Sequence, residues 1–234
     1  MDTKLEKIVD KIKNHSLREK IIELIENPTI EIGGKVYSGL PLNVSPAGLS
    51  RHHSYFGGFL EHVASMTEIA LTLCKVIKDV YGGKVDSDLV LSGIILHDIF
   101  KPLTYDAKED GTYAITSLGE RLDHLTLIVS EMIRRGFPLD LIHIVSAHHG
   151  WEAGPLGPRT IEALVCHLAD ITDSKLNGEV LRAASYLIRD VSDEEVKPLT
   201  SKEAFEIVNS KTVSGREGVS ETIKNIRLRR SNAK

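Results

Sequence analysis

Along most of this chain, apolar residues recur at intervals of three and four, the period of an α-helix with one buried face. The pattern predicts two short amphipathic helices at 3–14 and 17–27, broken near Asn14-His15-Ser16. A stretch rich in Gly, Pro and Ser at 31–50 predicts irregular chain, with a short strand around Lys35-Val36-Tyr37. The stripe Phe59, His62, Met66, Ile69, Leu73, Ile77, Val80 then predicts a long helix from Tyr55 to Tyr81, ended by Gly82-Gly83. Asp88 to Phe100 is apolar on every side, as in a buried helix stopped by Pro102. Residues 103–117 predict a small β-hairpin around Asp110-Gly111. Further helices are expected over Leu118–Arg135, Leu139–His148, Thr160–Lys175, Glu179–Arg189 and Lys202–Asn209, followed by a polar tail ending RLRRSNAK. The expected fold class is all-α. N-terminal helices (1–30) pack on the core, an irregular loop (31–54) lies near the site, a helical domain spans 55–190, and 191–234 hold a C-terminal helix and tail.

Composition refines this picture in only a few places. At 234 residues, with 41% hydrophobic and 26% charged, the chain can bury a sizeable core as an ordinary globular protein. A formal net charge of -4 argues against a dedicated nucleic-acid binder. Cys74 and Cys166, the only cysteines, sit in apolar helical contexts and suit a reducing interior. The N-terminal segment has no apolar signal core, and no run approaches the roughly 18 apolar residues of a membrane span, so a cytoplasmic protein is expected. Whether it assembles as a homo-oligomer is left open. One count stands out: ten histidines against one tryptophan.

Those histidines interrupt apolar helical surface in company with carboxylates. The segment LSGIILHDIFKP, 91–102, ends in His97-Asp98, and burying that pair costs several kcal/mol unless each member is bonded or bound to metal. Similar intrusions occur at His62, His124, His148-His149 and Asp170. Adjacent helical residues point about 100° apart, but both adjacent pairs fall at helix ends, before Pro102 and Gly150, where side chains can converge. One histidine on an apolar face is more often a hydrogen-bonded core residue than a ligand. Seven His and Asp side chains facing inward from five helices are more simply satisfied by a cation.

The segments GGFLEH (57–62), LHDIFK (96–101), His124, SAHHG (146–150) and HLAD (167–170) together resemble the HD-domain metal-dependent phosphohydrolase superfamily over roughly 45–178. That resemblance implies an HD-domain helical bundle. Within the superfamily two branches are similar: the HD domain of bacterial 3′–5′ exoribonucleases, and an archaeal branch acting on the 2′,3′-cyclic phosphate of 7,8-dihydroneopterin. The chain has no room for the RNA-binding OB domain of the former, which favours the latter. The implied activity is hydrolysis of a small phosphodiester by a hydroxide activated between two divalent metals. Asp98 has two oxygens and can bridge cations roughly 3.5–4 Å apart. One ion is expected on His62, His97, Asp98 and Asp170, the other on Asp98, His124, His148 and His149. Mixed imidazole and carboxylate donors suit Fe(II) or Mn(II), and also Co(II) or Ni(II), better than Mg(II) or Ca(II). Trinuclear relatives carry a glutamate where this chain has Gly58, so two metals are expected.

The resemblance also implies supporting roles. Lys101 matches a lysine that many HD enzymes aim at a phosphate oxygen; the plainer alternative is a lysine complementing a helix C-terminus. Arg51, His52 and His53 precede the first metal helix and are expected behind the ligands or at the substrate, His53 above all, with a solvated turn the alternative for His52. Trp151 is expected to stack on a pterin or base, or else to cap an apolar seam, and Arg159 to grip phosphate. His167 is expected to orient a ligand. The alternatives are a 3′–5′ exoribonuclease or nucleotide phosphohydrolase, a diiron HD-type oxygenase, and a regulatory module without catalysis. The partner expected is a small phosphoester substrate and no membrane; nucleic acid is disfavoured but stays open with the exoribonuclease alternative.

Overall fold

The computed structural model describes residues 2–192, 196 and 198–232. In chain order, α1 (Thr3–Val9) and α2 (His15–Glu26) precede a hairpin of β1 (Ile30–Ile32) and β2 (Lys35–Tyr37). Then come α3 (Gly58–Asp79), α4 (Ser87–Leu96), the short α5 (Lys101–Thr104) and a second hairpin of β3 (Tyr105–Ala107) and β4 (Tyr113–Ile115). They are followed by α6 (His124–Arg134), α7 (Leu139–Ser146), α8 (Gly150–Ala153), α9 (Ile161–Val191) and α10 (Ser201–Asn232). Both hairpins are two-stranded and antiparallel, so the architecture is helical. No helix among the described residues is long and apolar enough to cross a membrane.

Helix starts follow local chemistry. Asp2, Asn14, Asp86, Asp123 and Thr160 each accept a backbone N–H in the first turn of the helix they precede. The nearly all-apolar α4 lies at the centre, packed by α3, α7 and α9, with Val90, Ile94 and Ile95 fully buried. Gly93 permits the contact with α7, because a Cβ there would fall 2.3 Å from the Ile144 side chain. A second apolar cluster joins the C-terminal half of α9 to α10 through Ala184, Ile188, Ala204, Ile207, Val219, Ile223 and Ile226.

Several boundaries differ from expectation, each for a local reason. The two helices predicted over 160–189 are one, α9: Gly178 is no break but a notch, where a Cβ would meet the Arg51 carbonyl at 3.1 Å. The polar tail is helical, because Val219, Ile223 and Ile226 pack on α9 while Arg229 and Arg230 pair with Glu206 and Glu203. Residues 233 and 234 of that tail lie outside the described residues. α10 is broken at Ser214-Gly215, where Gly215 has φ 60°. The helix expected through Phe100 ends at Leu96, and Pro102 stands in the first turn of α5, where its missing N–H costs nothing. Residues 118–123, expected to be helical, are a turn and a bend leading into α6, and the strand expected at 35–37 gains a partner in β1.

Candidate metal centre

The end of α4 builds the site. His97 is its C-cap residue, and its Nδ1–H donates to the Ile94 carbonyl at 2.7 Å, so Nε2 faces inward. The turn carries Asp98 beside it, 1% exposed. From α3, His62 donates from Nδ1 to Asp173 Oδ2 at 2.6 Å, which likewise turns its Nε2 inward. That Nε2 lies 3.3 Å from His97 Nε2, 3.3 Å from Asp170 Oδ1 and 3.9 Å from Asp98 Oδ2. Beyond α7, His148 repeats the arrangement, its Nδ1–H on the Val145 carbonyl at 2.7 Å. His148 Nε2 sits 3.7 Å from Asp98 Oδ1, and His124 Nε2, from the first residue of α6, is 3.1 Å from the same oxygen. The His149 ring packs 3.8 Å from that of His148 and 5.5 Å from that of His124.

Three candidate ligand groups result, with donor atoms within 4.8 Å of one another in each: His62, His97 and Asp98, then Asp98, His124, His148 and His149, which share Asp98, and beside them His52, His53 and His62. Asp170 borders the first through His62. The donors fit cations. Asp98 Oδ1, His124 Nε2 and His148 Nε2 are buried and have no hydrogen-bond partner. His148 Nε2 faces that oxygen with a lone pair, because its ring proton is on Nδ1, and two such acceptors cannot bond to one another; an ion among the three atoms removes their desolvation cost. Gly58 has no space for a third acidic ligand, since even a Cβ there would fall 2.1 Å from the His53 carbonyl oxygen.

Charge is arranged to match. Burial opposes ionisation of Asp98, but the neighbouring His97 and Lys101 outweigh it and hold the carboxyl well below its usual range. Burial also opposes the Asp170 carboxylate, and here His62 and His97 win in the same direction. Burial keeps the His148 and His149 imidazoles neutral, the form that can ligate. His62 moves the other way: despite burial, its bonds to Asp170 and Asp173 carry it up to about 9.

The remaining candidates fall into two settings. Lys101 is buried at the start of α5 rather than at a helix C-terminus, its Nζ 2.5 Å from Asp98 Oδ2, where an ammonium ion is favoured over its own desolvation. His53 is buried as well, facing Asp173, while His52 is half-buried and Arg51 exposed. Trp151 is 63% exposed with the Arg159 guanidinium 4.6 Å over its ring, so one face of the indole is already covered. The Arg159 N–H donates to His143 Nε2. His167 donates from Nδ1 to the His148 carbonyl at 2.7 Å, anchoring the turn that carries the His148-His149 pair. Sequence reasoning missed Asp173 and Asn177. Their signal was there: with Asp170 they form an i, i+3, i+7 polar stripe on the inner face of α9.

The sequence profile described as "HD domain" matches residues 59–175. A dihydroneopterin 2′,3′-cyclic phosphate phosphodiesterase from Methanocaldococcus jannaschii is 40% identical over 223 residues, 94% of this chain and 86% of that protein. Two proteins named 3′-5′ exoribonuclease YhaM are similar over a shorter stretch. The one from Shouchella clausii is 33% identical, covering 57% of this chain and 43% of its own, and the one from Bacillus pumilus is 34% identical, covering 56% and 43%. No solved structure gives a significant match.

Proposed function

The chain belongs to the HD domain family, and from that premise we propose that it is a metal-dependent phosphodiesterase whose substrate is the 2′,3′-cyclic phosphate of 7,8-dihydroneopterin. The observation that carries the reading is one buried carboxylate, Asp98, with imidazole nitrogens around each of its oxygens and no hydrogen-bond partner for Oδ1. The near full-length similarity to the methanogen phosphodiesterase supports the substrate.

In this reading His62, His97, Asp98 and Asp170 hold one divalent ion, and Asp98, His124, His148 and His149 a second, Fe(II) or Mn(II) in each case. Ions held there would supply positive charge for the phosphoryl oxygens and acidify water. The chain's own groups do the rest. The Ile94 and Val145 carbonyls fix the tautomers of His97 and His148, and Asp173 fixes that of His62. Lys101 keeps Asp98 ionised and brings a cation to the same pocket, where a phosphate oxygen can meet it. Hydrolysis adds one water across one P–O bond of the cyclic ester, giving a phosphomonoester and a free hydroxyl. Free, buried Cys74 and Cys166 accord with a cytoplasmic location.

The test is direct. Protein purified without oxygen and loaded with Fe(II) or Mn(II) is incubated with the cyclic phosphate, with single-stranded RNA and with nucleotides. Formation of the pterin phosphomonoester, with RNA left intact, is the expected result. Processive RNA shortening would instead favour the exoribonuclease reading, which the similarity to YhaM supports over part of the chain. Substrate-dependent oxygen uptake would point to an oxygenase.

A further inference from the structure

His52 and His53 are adjacent, yet their rings enter different surroundings. His53 is 2% exposed and has φ 45°, alone among the described non-glycine residues in taking a positive φ. That conformation crowds the Cβ of an L residue against its carbonyl, and three contacts hold it. The His53 N–H donates to Asn177 Oδ1 at 2.8 Å, its carbonyl accepts from the Ala47 N–H at 3.1 Å, and Gly58 presses against that same carbonyl. Asn177 is itself held, donating from Nδ2 to Ser201 Oγ, the first residue of α10, at 2.6 Å.

The left-handed turn sets the two imidazoles nearly perpendicular, their centroids 5.6 Å apart. His53 Nδ1 lies 3.6 Å from Asp173 Oδ2 and 3.3 Å from His52 Nδ1. A proton on His53 Nδ1 therefore faces two acceptors. His52 Nδ1 then carries the lone pair and His52 Nε2 the proton. The half-buried His52 ring is 5.1 Å from the His62 ring, yet its Nε2 has no hydrogen-bond partner among the described residues. Gly48 lies beside that edge, where a Cβ would stand 3.9 Å from Nε2. A donor beside the ligand cluster, without a protein acceptor, suits an anionic oxygen brought by the substrate.

We propose that His52, rather than His53, contacts the substrate, donating from Nε2 to a phosphoryl oxygen, and that His53 is the positioning residue fixing its tautomer. This rests on the phosphodiesterase reading, and the experiment separates the two. Wild-type protein and His52→Gln are loaded with Zn(II) or Mn(II). Metal per chain, melting temperature, affinity for inorganic phosphate, and kcat and KM on the cyclic phosphate are measured. The imidazole nitrogens of His52 are observed by NMR in the Zn(II) form, with and without His53→Gln. Expected for His52→Gln are unchanged metal content and melting, with phosphate affinity and kcat/KM each about ten-fold lower, as for a lost charge-assisted hydrogen bond. His52 should carry its proton on Nε2 in the wild type and become a tautomer mixture in His53→Gln. Wild-type phosphate affinity in His52→Gln, loss of metal from it, or a proton on His52 Nδ1 in the wild type would each refute the assignment. If the wild type binds phosphate through His52 but leaves the cyclic ester intact, the substrate reading falls and the assignment stands.

Discussion

Asp98 and Glu131 are carboxylates buried to the same degree, each 1% exposed, in neighbouring parts of the same helical core. Around Glu131 the protein supplies everything: Arg134 donates at 2.7 and 2.5 Å and Arg135 at 2.6 Å, so both oxygens are bonded. Around Asp98 it supplies a lysine to one oxygen, and to the other only imidazole nitrogens that are themselves without partners. The fold can therefore satisfy a buried carboxylate completely with side chains, and at Asp98 it does not. A complete ion pair is a structural solution, whereas an incomplete shell of ligating atoms is a place for an ion.

The comparison can be broken most severely at Asp98. Asp98→Ala should abolish hydrolysis and bound metal, exceeding the roughly 100-fold that loss of an outer partner costs; mass spectrometry of metal content and a turnover assay read both. Next in size is metal removal. A chelator should lower the stability of the wild type by about 2.7 kcal/mol if the ion was at 100 times its Kd, and leave the melting of Asp98→Ala where it was. Equal melting curves for wild type with and without chelator would make Asp98 another Glu131. Asp173→Asn weakens the bond that orients His62, along with the longer contact to His53, so metal affinity should fall about 10- to 100-fold with the fold intact, as competition with a chromophoric chelator would show.

The smallest effect belongs to Glu131. Burial raises its carboxyl, but the bonds from Arg134 and Arg135 outweigh that and hold it below the ordinary glutamate value of 4.5. Its folded pKa is depressed, so its stabilisation is present above the unfolded value and fades as pH falls through the folded one. Glu131→Gln should remove about 1 kcal/mol at neutral pH and flatten the acid limb of a stability–pH curve, without changing metal content.

Much of this was visible in one dimension. The period of three and four located the helices, because a helix that buries one face must repeat its apolar residues at that interval. The placing of His97-Asp98 and His148-His149 at helix ends likewise marked where adjacent side chains could converge. The continuity of α9 was hidden by Gly178, which reads as a breaker in isolation and is a packing notch against Arg51 in space. The helical nature of the tail was hidden too, since its polar residues find partners more than twenty positions away, as Arg229 does in Glu206.

The chain's own order of residues thus located most of the helices and showed which residue types intrude on their buried faces. Only the tertiary structure decided which nitrogen of each imidazole faces the site, that Asp173 stands behind His62, and that His52 and His53 part company. The reason is physical. Periodicity records which face of an element is buried, whereas a hydrogen bond such as that between His62 and Asp173 joins residues 111 apart, whose meeting depends on how whole helices pack.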